Sequence, residues 1–169
     1  PHILISNDWM TGLVPAYLQC ERRYSEDDRL NTIETIHTIH NCGRAYQGRI
    51  YVNQFGEDLW PLLGIKNEHF FGLADPNDHD FLNLTAGAVK HVKKAILTVS
   101  RPYSEQLLNP EGGDGLEDLL RTRADCIFGI SNGIDAGALR NIFWQFGEHA
   151  RHTLNRTPLV GGRFEEDPF

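Results

Sequence analysis

The chain has 169 residues and a formal net charge of -7, with 16 lysines and arginines against 23 acids, a size that suits one domain with a real core. The basic residues are scattered apart from Arg22-Arg23 and the group Lys90, Lys93 and Lys94, so there is no basic stripe for a nucleic-acid backbone. No apolar run approaches the roughly 20 residues that cross a bilayer, and Cys20, Cys42 and Cys126 are odd in number, widely spaced and without a CxxC pattern, so neither a disulfide framework nor a thiolate metal site is expected. The expected setting is a reducing cytoplasm, with neither nucleic acid nor membrane as partner.

Ile3-Leu4-Ile5 is a continuous apolar run, which predicts a strand covered on both faces. The composition then changes abruptly at Ser6-Asn7-Asp8-Trp9, before a helix-compatible pattern through Leu13, Val14, Ala16 and Tyr17. Asp8 therefore sits between a strand end and a helix start, and two readings stand: a helix cap, or a ligand-binding carboxylate. Trp9 is read either as a packing residue or as a stacking platform. The charged stretch 21–30 is expected to be a solvated loop.

Thr35-Ile36-His37-Thr38-Ile39-His40-Asn41 reads as the next strand, β-branched and ending on a polar pair. A loop with Gly43 and Gly48 follows, then a short helical piece over 57–63. Asp75-Pro76-Asn77-Asp78 is turn chemistry, and the apolar spacing predicts a helix over 81–92. Ala95-Ile96-Leu97-Thr98-Val99 is a buried strand ending at Ser100, Arg101 and Pro102. Two short helices are expected over 103–108 and 116–123, with Asp114 capping the second. Cys126-Ile127-Phe128-Gly129-Ile130 is a fourth strand running into Ser131-Asn132-Gly133-Ile134-Asp135, and 139–154 reads as a helix with Leu139, Ile142, Phe143, Phe146 and Ala150 on one side.

Four apolar strands alternating with helices predict βαβ crossovers and an α/β fold with a Rossmann-like, mostly parallel sheet flanked by helices. In such sheets ligands bind beyond the carboxyl ends of the strands. Those ends offer Asp8, His40 with Asn41, Ser100 with Arg101, and Asn132 with Asp135, directional donors and acceptors of the kind a polyhydroxylated ligand needs. The same polar residues also serve simply to finish strand backbones. His37 and His40, three apart on a strand, point to opposite faces and cannot share a metal. His149 and His152 lack the HExxH pattern and a third ligand, and the glycine cluster at 112–115 lacks the lysine of a phosphate loop. No metal site and no nucleophilic serine elbow is expected.

Taken together, Asn7-Asp8-Trp9-Met10-Thr11-Gly12-Leu13-Val14-Pro15-Ala16-Tyr17-Leu18, Thr38-Ile39-His40-Asn41 with Ala45-Tyr46-Gln47-Gly48, Thr98-Val99-Ser100-Arg101-Pro102-Tyr103, Gly113-Asp114-Gly115-Leu116-Glu117-Asp118-Leu119-Leu120 and Gly129-Ile130-Ser131-Asn132-Gly133-Ile134-Asp135 resemble the bacterial-type glycogen synthases and plant starch synthases. These are retaining glucosyltransferases of the GT-B fold. The resemblance implies transfer of glucose from ADP-glucose or UDP-glucose to an α-1,4-glucan, with no cofactor beyond that donor. It assigns His40 to the transferred glucose as the catalytic position, and Asp8, Trp9, Asn41, Tyr46, Gln47, Ser100 and Asn132 to substrate binding. Asn7 and Met10 stand where the family has histidines, and Gly43-Arg44 look like an insertion after the HN pair.

The resemblance covers only the latter part of an N-terminal domain, read here as 1–154, with 155–169 as a linker toward a nucleotide-sugar domain that this chain does not contain. Its start on Pro1 and its acidic, proline-bearing end are expected of a piece of something longer. Cleaving a sugar-phosphate bond needs cationic groups on the leaving diphosphate and a closed cleft. This chain carries only one wall, so on its own it is expected to be inactive. Two other readings remain open at this point: a noncatalytic glucan-binding or regulatory module, and a GT-B transferase of another sugar.

Overall fold

Every crossover in the described sheet steps in the same direction. A computed structural model describes residues 2–53 and 58–133; the expected helix over 139–154, His149, His152, Asp135 and the 154/155 boundary lie outside them. The chain divides into a unit Pro1–Asn132 and a unit Gly133–Phe169, and the architecture below is that of the first.

The strands β1 (Ile3–Asn7) and β2 (Glu34–Ile39) are joined through α1 (Leu13–Cys20) and the short α2 (Arg22–Ser25), which lies where a solvated loop was expected. A second, antiparallel sheet follows, made of β3 (Arg49–Tyr51), β4 (Ala74–Asp75) and β5 (Asp78–Asn83), with α3 (Phe70–Leu73) before β4. Then come α4 (Leu84–His91), β6 (Ala95–Thr98), the helices α5 (Arg101–Gln106), α6 (Pro110–Gly113) and α7 (Glu117–Arg121), and β7 (Ile127–Gly129). The main sheet is parallel throughout, in the order β1-β2-β6-β7. Its register sets Ile5 beside Ile36, Ile36 beside Ala95, and Leu97 beside Phe128.

Because strand order rises monotonically and parallel crossovers are right-handed, the connecting helices fall on one face of this sheet. That face carries Ser6, Thr35, His37, Ile39, Ile96 and Thr98, all buried. The opposite face follows from the register: Ile3 is 61% exposed, Ile5 57% and Phe128 52%. The expectation that Ile3-Leu4-Ile5 is covered on both faces is therefore corrected. In the described sheet β1 comes first in the strand order, and no described helix crosses to its other face.

The expected helix over 81–92 is shorter than its spacing suggested. Phe81 and Leu82 belong to β5, opposite Tyr51 and Ile50, and the helix starts where the Asn83 side chain accepts the Ala86 N–H at 2.9 Å. The turn at 75–78 closes the β4–β5 hairpin. Asp114 also differs from expectation: at φ 44°, ψ 51° it closes α6 at its C-terminal end, and Leu116 precedes α7 without a side-chain cap.

Two apolar cores result. Ile39, Cys42, Val89, Ile96, Leu107, Leu116 and Leu120 fill the space between the sheet and its helices. Ala16, Cys20, Trp60, Ile65, Leu73 and Leu82 join α1 to the second sheet. Near the second core, Arg49 Nε donates to Asp75 Oδ2 at 2.6 Å, and Asn83 Nδ2 donates to the same oxygen at 3.0 Å. Burial alone would raise the Asp75 pKa, but donors from Asn83, Asn77 and Arg49 outweigh it and hold the carboxyl below its ordinary value. Among the described residues no helix is long and apolar enough to cross a membrane.

Candidate active site

The carboxyl ends of β1 and β2 lie side by side because Asn7 pairs with Thr38. Beyond β1 the chain turns sharply: Thr11 Oγ1 donates to the Asn7 carbonyl at 2.7 Å and accepts the Asn7 N–H at 2.6 Å, while the Asp8 N–H donates to the Thr38 carbonyl at 2.9 Å. Asp8 precedes a 3-10 turn, Trp9–Thr11, but its side chain does not cap it. Instead Oδ1 accepts the His40 N–H at 2.9 Å and Oδ2 lies 3.0 Å from His40 Nδ1. Asp8 thus stands at the N-cap position of that turn while its carboxylate makes no cap hydrogen bond and is committed to His40.

Past His40 the loop to Gly48 is held from several sides. The Asn41 side-chain oxygen accepts the Gly43 N–H at 2.8 Å, an Asx turn. The Cys42 N–H donates to the Tyr103 hydroxyl at 2.8 Å, and the Arg44 N–H donates to Asp114 Oδ2 at 2.6 Å. Gly48 closes the loop at φ +65°, where a Cβ would come within 2.7 Å of Trp9 Cβ. Only glycine lets the loop pass so close to the indole.

A cavity of about 300 Å³ opens at this point, lined by Asp8, Trp9, Met10, His40, Asn41 and Tyr46. A second, of about 180 Å³, is lined by Thr38, His40, Leu97, Thr98, Val99, Ile130 and Asn132. His40 borders both. The structure thus gathers Asp8, Trp9, His40, Asn41 and Tyr46 around one cavity and sets Asn132 with His40 at the other.

Two residues named from the sequence lie elsewhere. Gln47 is 1% exposed; its Nε2 donates to the carbonyls of Cys42 and Asp114 at 2.8 and 3.0 Å, and its Oε1 accepts from Asn83 at 3.0 Å. Its hydrogen-bonding capacity is spent inside the fold, tying the loop to the second sheet and to α6. Ser100 caps α5 by accepting the Tyr103 N–H at 3.2 Å. Sequence reasoning missed Met10 as a lining residue and the two-point Asp8–His40 contact; only the polar pairing of two adjacent strand ends hinted at the latter.

His37 points away from His40, as the strand period requires. It is fully buried, with Nδ1 2.8 Å from Ser6 Oγ, and burial depresses its pKa from 6.5 to about 4 against the small opposing pull of Asp8. Burial, with the nearby Asp114 and Glu117 charges, pushes the Cys42 thiol up to about 12, so it is no nucleophile. Among the described residues no cluster of three or more His, Cys, Asp or Glu could hold a metal.

A parallel α/β sheet with an Asp–His contact and aromatic side chains beyond its carboxyl ends defines a Rossmann-like domain with a candidate binding site at the usual place. Comparison with known proteins narrows this. The family described as the starch synthase catalytic domain matches residues 1–122, and the chain belongs to that family. It is 43% identical to a glycogen synthase of Anaeromyxobacter sp. (strain Fw109-5) over 136 residues, which cover 80% of this chain and 26% of that protein. It is 40% identical to the glycogen synthase of Myxococcus xanthus (strain DK1622) over the same shares. The solved catalytic domain of starch synthase IV from Arabidopsis thaliana, bound to ADP and acarbose, superposes with a TM-score of 0.62 at 27% identity over 82% of this chain and 26% of that one. The fold is that of part of a GT-B glycosyltransferase, and the chain spans about a quarter of the length of these relatives.

Proposed function

We propose that this chain forms one wall of a glucosyltransferase cleft that moves glucose from ADP-glucose or UDP-glucose to the non-reducing end of an α-1,4-glucan, with retention of configuration. The observation that carries the reading is the shared cavity of Asp8, Trp9, His40, Asn41 and Tyr46 in a chain of this family. Directional acceptors and donors together with aromatic rings in one lining suit a sugar, which is polar at its hydroxyls and apolar at its C–H groups. The Arabidopsis relative bound to ADP and acarbose supports a nucleotide and a saccharide as the ligands. His40 contacts the transferred glucose and steadies the developing positive charge at the reacting carbon through its ring and backbone carbonyl, without acting as a general base. Asn132, which shares the second cavity with His40, is assigned to the same ligand.

No cofactor beyond the sugar nucleotide enters this reading, and three free cysteines, two of them buried, fit a reducing cytoplasm. The leaving diphosphate needs cationic partners, and the described cavity walls hold no lysine or arginine. The expected outcome is that the 169-residue chain alone transfers no glucose. Incubating it with either donor and glycogen should yield no chain extension; measurable turnover refutes the reading of a single wall. A noncatalytic glucan-binding role would show as micromolar malto-oligosaccharide affinity together with an unimpaired parent enzyme when the cavity is mutated.

A further inference from the structure

Asp8 adopts φ 52°, ψ -176°, a region in which glycine is the ordinary occupant and any side chain is strained. Such strain persists only where the surroundings over-determine it. Here the Asp8 N–H is fixed to the Thr38 carbonyl, and both carboxylate oxygens are directed to one residue, His40. A glycine would sit in this backbone more easily, so the side chain is what the position retains at a conformational cost.

The chemistry of that contact fixes a proton. An ionised carboxylate only accepts, so the ring nitrogen facing Oδ2 at 3.0 Å must carry the hydrogen. In a neutral imidazole the other nitrogen, Nε2, is then a bare acceptor. It has no partner among the described residues, and His40 borders both cavities. The pair is partly open to solvent, with side-chain exposures of 46% and 24%, so the contact orients more than it stabilises.

We propose that Asp8 is a positioning residue that holds His40 in the Nδ1-protonated tautomer, leaving Nε2 to accept a hydrogen bond from a hydroxyl of the bound sugar. The sugar rests on the glucan reading above; the tautomer does not. A ring locked this way cannot present an N–H to the cavity while neutral. It selects ligands that donate at that point, as every sugar hydroxyl can.

Long-range proton–nitrogen NMR on the ¹⁵N-labelled chain reads the tautomer directly, with His40→Gln assigning the signal. At a pH where the ring is neutral, the parent should show a protonated Nδ1 and a pyridine-type Nε2. Asp8→Gly and Asp8→Ala should both move His40 toward the Nε2-protonated form that free imidazole prefers. Strain adds a second readout, because Asp8→Gly loses the tether but relaxes the backbone. Its melting temperature should stay within about 3 °C of the parent, with Asp8→Ala melting lower. An Nε2-protonated His40 in the parent, or a glycine variant that melts as low as the alanine variant, overturns the proposal. Adding maltotriose should then shift the Nε2 resonance in the parent and not in the variants. A correct tautomer without that shift supports the positioning role and overturns the assignment of Nε2 to a sugar hydroxyl on this wall, while the glucan reading of the whole cleft is judged by the chimera's activity.

Discussion

Acid should loosen this fold through His37. The ring is fully buried, and its pKa is depressed from 6.5 to about 4, chiefly by burial. The unfolded chain therefore binds a proton more readily than the native one across that window. Stability linked to His37 is complete above about pH 6.5 and is lost as pH falls toward 4. The depression spans about 2.5 units, which at about 1.4 kcal/mol per unit amounts to about 3 kcal/mol. Urea unfolding at pH 7 and pH 4.5, on the parent and on His37→Asn, tests it. Asparagine keeps a polar atom for Ser6 but cannot take the proton, so its baseline stability is lower and its acid loss smaller. The parent should lose about 2 to 3 kcal/mol more than the variant between the two pH values. Parallel losses would refute the argument, because carboxylates elsewhere titrate equally in both proteins.

Gly48→Ala should lower the urea midpoint by the equivalent of about 2 to 4 kcal/mol and shift the Trp9 emission, since it combines a positive φ with a collision on the indole. Arg49→Met should cost about 3 kcal/mol in the same assay, because it leaves the buried Asp75 carboxylate without its cation and removes the guanidinium 4.2 Å above the Phe81 ring. Ile5→Lys and Phe128→Glu, on the sheet face that carries no described helix, should each leave unfolding free energy within about 0.5 kcal/mol while reducing binding of an apolar fluorescent dye. A loss as large as a core substitution would mean that these side chains are packed in solution.

The parallel sheet was legible in the sequence because Ile3-Leu4-Ile5 and Ala95-Ile96-Leu97 are short apolar runs and Thr35-Ile36-His37-Thr38-Ile39 is a β-branched one, divided by connections too long for hairpins. Which strand lay at the edge was not, since an apolar run reads alike whether one face or two are covered; β1 needed the strand order to be placed. The second sheet escaped because β3 and β4 have only 3 and 2 residues, too short for alternation to register, and because Phe81 and Leu82 satisfy helical and strand periods equally. At the site, the strand ends at Asp8 and His40 announced themselves through polarity. Gln47 did not announce its burial, because a buried glutamine is recognisable only from the carbonyls it meets. Asp8 showed the limit most clearly: a capping carboxylate and one that holds a neighbouring histidine share one composition, and only the distances to His40 distinguish them.

The central claim is that His40 borders the sugar being transferred. Residues 1–132 of this chain should be placed in the Myxococcus xanthus glycogen synthase in place of the matching segment, and the chimera assayed for glucan extension with and without His40→Ala. The account predicts an active chimera whose kcat falls by about 100-fold or more in the variant, with the donor KM changed by less than about threefold. An active chimera indifferent to His40→Ala, or one whose loss lies wholly in KM, would contradict it.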